Sequence, residues 1–455
     1  MISATLLSGW ALATLLAFAD GARKGPGRLA LWGLGAVLAC VTALAWQVFL
    51  GGEQTIVAGG WERELGIRLR ADVLGVAFAL VTTAVLVAAL AHELSGDVRT
   101  RSFPALVAFM AAGLNGLFLT ADVFNFYVFF ELSMIAAVAL TAYGGEGPRL
   151  RAAYTFAVVN LLGSVFFLAG TAALYHVTGT LEMAGIAERL HDLPPETTLV
   201  IGAVFFVAFG VKLGLFPFHF WVPPVYRDAH PAVAAILSGA LANVGSYGLL
   251  RFGGDVMGAI LPAASPVLAP LAVASLLYGS VLALARKRVA EVLAYSSISQ
   301  AGYILLAVTL GSSAGFAAAL VYALINSLNK ALLFLSLRLH GIAAAVVFGM
   351  GAASVAGLPP AVGFFGKAAI FRAGVEEGDH GALAAIVGGS ILSVAYMARI
   401  YARRVWEGQE APQRSPVTAR AVSAVLAAVL LLLGIWPEPL LRLGHVAGLA
   451  LAREP

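Results

Sequence analysis

The sequence predicts an all-α polytopic membrane protein of about fourteen transmembrane helices. Three observations carry that prediction. Hydrophobic residues fill 60% of the 455 positions, charged residues only 11%, and mean hydropathy is +0.91, far outside the range of water-soluble domains. Apolar runs long enough to cross a bilayer recur along the whole chain. Fifty glycines suit helices that pack closely where lipid and protein are equally apolar.

In order, the runs fall at about 2–19, 28–50, 72–92, 102–121, 122–144, 152–178, 197–222, 231–253, 263–285, 289–310, 313–339, 342–371, 381–402 and 419–450. The first lacks a basic start and a cleavage site, so it reads as a span and not a leader. Gly51 to Arg70, with its Gly-Gly-Trp and alternating residues, reads as a small hairpin cap. The connection from Leu181 to Thr198 contains L-E-M-A-G-I-A-E-R-L, whose two faces suit a helix lying on the membrane surface. No soluble domain is expected.

Basic residues alternate from loop to loop. Seventeen lie in one set of loops, including Arg23, Lys24, Arg28, Arg149, Arg151, Arg286, Lys287 and Arg288, against eight in the other. That asymmetry places the first set in the cytoplasm and both termini outside. It also accounts for the net charge of +4 without a nucleic-acid partner. The single cysteine, Cys40, excludes an internal disulfide and a cysteine-ligated iron–sulfur cluster. No metal-ligand spacing, phosphate loop, catalytic triad or dinucleotide fingerprint stands out, and no cofactor is expected.

The remaining three basic residues of the 28 are lysines inside spans, Lys212, Lys330 and Lys367, and Glu131 lies near the middle of the fifth. An ionisable side chain at that depth costs roughly 2.5–3.5 kcal/mol on insertion scales, so such residues mark ion pathways more often than not. A lysine near a helix end reaches the headgroups and carries no message, but three of the chain's five lysines lie this deep. Helix breakers stand beside two of them. Pro217 interrupts the seventh span after Lys212, and Pro359 and Pro360 interrupt the twelfth before Lys367. Backbone freed by proline at membrane depth is tolerated where protein or a water-lined cavity covers it, and paired broken helices are a feature of transporters built from repeats.

The chemistry these residues suit is proton transfer. Burial disfavours a charged amine and a nearby carboxylate favours it, so a Glu131–Lys212 ion pair would act as a switch. Candidate auxiliaries that could pass or order protons are His219, His230 and His340, with Asn243, Ser299 and Gln300. A histidine titrates near neutrality, whereas a span serine or amide is more often an interhelical hydrogen bond.

Several stretches carry a resemblance. They are D-V-F-N-F-Y-V-F-F-E around Glu131, V-K-L-G-L-F-P-F-H-F-W-V-P around Lys212 and H-P-A-V-A-A-I-L-S-G from His230. L-A-Y-S-S-I-S-Q-A-G-Y, N-S-L-N-K-A-L-L-F-L and A-G-L-P-P-A-V-G-F-F-G-K follow in the same order. Together they resemble the antiporter-like subunits of complex I and its relatives, and among these the D-type subunit of Mrp sodium/proton antiporters. The resemblance implies two inverted five-helix repeats with broken helices seven and twelve. The chain would then divide into N-terminal helices at 1–101, repeats at 102–253 and 263–404, and a last helix at 405–455. It implies a bacterial or archaeal cell membrane, other membrane subunits as partners, and protons and sodium as the transported ions. Glu131, Lys212, Lys330 and Lys367 would form the pathway. A redox-driven relative of complex I or a hydrogenase is the alternative host, and a non-conducting structural subunit the second. The sequence departs from the family in two places. Asn243 stands where the eighth span usually carries a lysine, and the connection between spans eleven and twelve is nearly absent.

Overall fold

The computed structural model describes residues 1–61, 66–96, 100–145, 147–406 and 415–452. Arg63, Arg99, Arg414 and Arg453, which enter the loop-charge asymmetry, lie outside the described residues. The architecture is helical almost throughout. Among the described residues, eleven helical segments are long and apolar enough to cross a membrane, and three shorter apolar helices, Ile2–Ala17, Phe103–Phe118 and Gly341–Ala356, accompany them.

The chain enters through α1 (Ile2–Ala17) and α2 (Lys24–Gly51). The expected hairpin follows as β1 (Gln54–Val57) paired antiparallel with β2 (Arg68–Ala71). Asp72 then caps α3 (Val73–Glu93), its carboxylate accepting from the Gly75 N–H at 2.8 Å, which satisfies one of the orphan donors of the first turn. Apolar side chains on all sides of α3 bury it against neighbouring helices along most of its length, as expected of a helix without a polar face. Next come α4 (Phe103–Phe118), α5 (Val123–Thr141) and α6 (Gly147–Thr178). The stretch read as a surface helix forms α7 (Met183–Leu190), which buries Met183, Ile186, Ala187 and Leu190 and turns its polar side outward.

The seventh span is broken as expected. Its first part, α8 (Pro195–Leu213), ends at Gly214 in the left-handed conformation (φ +71°), and a 3-10 turn leads into α9 (Val222–Asp228). The eighth, continuous in the sequence reading, is also irregular. Here α10 (Pro231–Ile236) passes through a π turn at Leu237–Leu241 into α11 (Asn243–Leu250), and a second π turn spans Arg251–Val256. Such bulges gather at functional positions.

The second half holds α12 (Leu261–Ala285), α13 (Val289–Thr309) and α14 (Ser313–Leu335). The twelfth span divides into α15 (Gly341–Ala356) and α16 (Gly363–Glu376) around Gly357, again left-handed (φ +81°). The two breaks therefore share a construction, G-L-F-P after Lys212 and G-L-P-P before Lys367, each opened by a glycine whose φ a larger residue resists. The chain closes with α17 (His380–Trp406), α18 (Val417–Ile435) and α19 (Glu438–Leu451). The last apolar run is thus two helices parted at Trp436 and Pro437. Gly434 abuts the second break so closely that a Cβ there would fall 1.9 Å from the Pro360 carbonyl oxygen.

The basic loops gather at one end of the bundle. There the Gly21 N–H donates to the Arg101 carbonyl at 2.9 Å, and Gly96 lies against the Arg338 guanidinium.

Candidate functional site

The break after α8 sets Lys212 in the last helical turn, where the side chain is 7% exposed. Its ammonium donates to the Asn160 carbonyl at 2.9 Å and to Ser164 Oγ at 3.4 Å, and it lies 3.8 Å above the Phe130 ring. Phe126, Phe130, Phe167 and Phe209 wall the site. A cation over an aromatic face is stabilised without full hydration, so the Phe130 ring offsets part of the cost of a charge here. The freed Val211 carbonyl accepts from Trp221 Nε1 at 2.8 Å, so the broken backbone is covered by protein.

Glu131 and Lys212 make no direct ion pair, although the carboxylate still acts on the lysine electrostatically. Lys212 turns toward α6, whereas Glu131 lies partly exposed, and its buried Oε1 has no hydrogen-bond partner among the described residues. The physical reason is helical phase. Phe130 faces the lysine, and Glu131, one residue on, joins Phe124, Val128 and Ile135 on the outward stripe of α5, about 100° around the helix.

Lys330 is 0% exposed. It donates to Ser296 Oγ at 2.9 Å and the Leu293 carbonyl at 3.3 Å. Ser296 Oγ lies 3.1 Å from Tyr396 Oη, which accepts from Gln300 Nε2 at 3.2 Å, and Gln300 Oε1 accepts from Tyr322. A hydroxyl both donates and accepts, so this is a continuous hydrogen-bonded chain away from the lysine. Lys367, 6% exposed, donates to Ser393 Oγ at 2.6 Å and to the Ala356 carbonyl at 3.1 Å, with the Tyr303 ring 5.2 Å away. Tyr303 Oη in turn meets Ser390 Oγ at 3.3 Å. Ser390, Ser393 and Tyr396 therefore form a polar strip on α17 that touches the surroundings of both lysines. None of the three stands among the candidates the sequence offers; their spacing of three within an apolar span was the available signal.

Asn243 occupies the first turn after the π bulge. Its amide donates to Thr82 Oγ1 at 2.9 Å, the Gly239 carbonyl at 3.1 Å and Ser327 Oγ at 3.2 Å, linking α3, α11 and α14. Ser299 meets Ser280 at 2.8 Å. The candidate histidines do not share one role. His219 packs edge-on to Tyr278 with ring centroids 4.4 Å apart. His230 sits at the end of α3 beside Glu93, and His340 is exposed at the basic end, its backbone N–H bonded to Ser415 Oγ at 2.8 Å.

A further polar cluster was not legible in the sequence. Arg251, 2% exposed, donates to Asp72 at 2.8 Å, Asp255 at 2.9 Å and Tyr247 Oη at 3.1 Å, and Arg70 pairs with the same two carboxylates. Burial pushes the Asp72 carboxyl up, but Arg251 and Arg70 outweigh it and hold it well below the usual carboxylate range. This cluster ties the hairpin and the start of α3 to the end of the eighth span.

Buried lysines with serine partners, two of them beside broken helices, mark a polytopic membrane protein that carries ionisable groups inside its bundle. The family described as "NADH:quinone oxidoreductase/Mrp antiporter, TM" matches residues 120–393, and the chain belongs to it. The D-type subunit of the Na(+)/H(+) antiporter of Bacillus subtilis (strain 168) is 32% identical over 421 residues, 87% of this chain and 85% of the relative. Its counterpart in Alkalihalophilus pseudofirmus is 30% identical over 389 residues, 81% of this chain and 79% of the relative. Among solved structures, a chain of the Mrp complex from Dietzia sp. DQ12-45-1b superposes with a TM-score of 0.89 at 26% identity, covering 99% of this chain and 96% of its own. A chain of respiratory complex I from Thermus thermophilus gives 0.87 at 26% identity, covering 99% of each. The archaeal membrane-bound sulfane sulfur reductase gives 0.89 at 26% identity, covering 100% of this chain and 97% of that one.

Proposed function

We propose that this chain is the D-type membrane subunit of a multi-subunit monovalent cation (sodium)/proton antiporter and moves protons through Glu131, Lys212, Lys330 and Lys367. The observation that carries the reading is the hydrogen-bonded strip of Ser296, Tyr396 and Gln300 beside Lys330, with Ser393 and Ser390 beside Lys367. Three ammonium groups at 7% exposure or less are expensive in any role, and hydroxyl partners that can relay a proton give the expense a use. Approach of Glu131 would hold the proton on Lys212, and separation, as in the open arrangement described, would release it to the next site. Asn243 cannot titrate, but its amide can order a water between the first and second lysines. We read the helices as fourteen crossings with two inverted five-helix repeats, the basic loops in the cytoplasm and both termini outside.

The test is the reconstituted complex with Lys212→Ala or Glu131→Ala. Proton-coupled sodium transport is expected to fall for both, and transport unaltered by both would overturn the pathway.

The likeness to complex I and the sulfane sulfur reductase favours a second reading, in which redox subunits drive the same pathway. The subunits that purify with the chain separate the two. Small cation-antiporter subunits support the first reading, and quinone-reductase or hydrogenase subunits the second.

A further inference from the structure

The third span closes on A-H-E-L, with an acid at the end of an otherwise apolar helix, one residue past the run that the sequence marks. Glu93 is nevertheless 2% exposed. Three elements distant in sequence close on it. Tyr143 Oη, after α5, donates to Oε1 at 2.7 Å; Arg338, after α14, donates to Oε2 at 3.2 Å; and His230 Nδ1, between α9 and α10, lies 3.3 Å from Oε2 without hydrogen-bond alignment. Arg149 acts on Glu93 electrostatically, and His92 on His230.

The cluster sits at the arginine-rich end of a seam between α3 and the eighth span. From His230 the seam runs inward past Ser238, whose hydroxyl donates to the Ala234 carbonyl at 2.6 Å, through the π turn, to Asn243 and Thr82. The two helices are in close contact there. A Cβ on Gly239 would meet the Ser327 carbonyl oxygen at 2.8 Å and Val85 at 3.2 Å. Polar side chains are therefore spaced along this seam between Glu93 and Asn243, the position where the resemblance places the family's usual lysine.

We propose that Glu93 is a proton-loading site at the basic end of the chain, passing protons through His230 toward Asn243. The carboxylate takes one proton from water and becomes the neutral acid. It then gives that proton to His230 Nδ1 as His230 releases its Nε2 proton inward, so that one proton moves and both groups return to their starting charge, and a turn of the ring restores the starting tautomer before the next transfer. A carboxylate that only anchored Arg338 would be satisfied by Arg338 and Tyr143, and would not need an ionisable imidazole nitrogen 3.3 Å from the same oxygen. Burial, with the charges of Arg338 and Arg149, holds His230 down to about 3. The imidazole is therefore neutral near pH 7 and passes a proton on without storing it.

This inference rests on the reading of the chain as a proton conductor, so the experiment carries a control for that reading. The full complex is reconstituted with Glu93→Gln, Glu93→Asp, Tyr143→Phe or Lys212→Ala, and sodium-driven proton flux is followed across pH. Glu93→Gln is expected to lower flux by on the order of tenfold or more, and Glu93→Asp to restore it with a displaced pH profile. Tyr143→Phe keeps every charge in the cluster and is expected to displace the profile. It carries the test if Glu93→Gln reduces the amount of assembled complex. Flux and profile unchanged in Glu93→Gln, or in Tyr143→Phe where that variant stands in, overturn the Glu93 site when Lys212→Ala is impaired. If Lys212→Ala is also unimpaired, proton conduction itself falls.

Discussion

Asn243 and Thr82 meet across 2.9 Å, with the amide of the eighth span donating to a hydroxyl of α3. Both are buried, at 3% and 1% exposure. The bond replaces what a lysine at position 243 would bring, a charge, with a neutral clasp between two helices. A buried amide that keeps its partners contributes about 1 kcal/mol per bond, and leaving one partner unpaired costs about 1–3 kcal/mol.

Asn243→Lys is therefore expected to disturb two properties at once. It introduces a charge beside Thr82 and Ser327 and supplies the titrating group that the eighth span lacks. Transport by the reconstituted complex should change in rate and pH profile. If neither changes, the eighth-span position has no part in conduction.

Tyr396→Phe removes the hydroxyl that joins Ser296 to Gln300 while leaving the ring in place. Stability should drop by about 1 kcal/mol for the lost bonds, read as a small shift in melting temperature. Transport should fall by roughly tenfold if the hydroxyl carries the relay past Lys330. A stability loss with full transport would assign Tyr396 to packing alone.

Gly357→Ala places a methyl group where φ is +81° and where a Cβ would lie 2.9 Å from Lys367 Cδ. The left-handed backbone alone costs about 1–2 kcal/mol for a residue with a Cβ, and the lysine stem must move as well. The expected result is a lower melting temperature together with impaired transport. Gly388, with open space around it, is the comparison position, where alanine should leave both unaltered.

Asp72→Asn tests the outer cluster through pH. The Asp72 carboxyl sits below its ordinary value of 3.8 in the folded protein. It therefore contributes stability that is full above that value and is lost as pH falls through the lower, folded one. The asparagine variant should be less stable at neutral pH by about 3 kcal/mol, because it leaves Arg251 buried without one of its two acids. The gap should close in strong acid. Melting curves across pH read both, and a variant as stable as the parent at neutral pH would remove the cluster's structural role.

What the sequence disclosed was whatever a single segment can show. Lys212, Lys330, Lys367 and the two proline breaks each stand out against their own apolar neighbours, and all three lysines are buried as expected. Groups defined by convergence did not stand out. Arg251 and Asp72 are 179 positions apart and Arg338 and Glu93 are 245, and each alone resembles an ordinary span-end charge. The absence of a direct Glu131–Lys212 ion pair has a related reason. Depth along the two helices could be read from the sequence, but which way each side chain faced depended on how α5 and α8 pack against α6.

The third helix touches the eighth span at three levels, with Asp72 on Arg251, Thr82 near Asn243 and Glu93 near His230. The division at residue 101, attractive as a cut between an accessory segment and a repeat, therefore runs through a shared polar seam. A chain expressed from residue 102 onward would carry Arg251, Asn243 and His230 into the bilayer without their counterparts. The helices that share this polar seam therefore lie on both sides of that division.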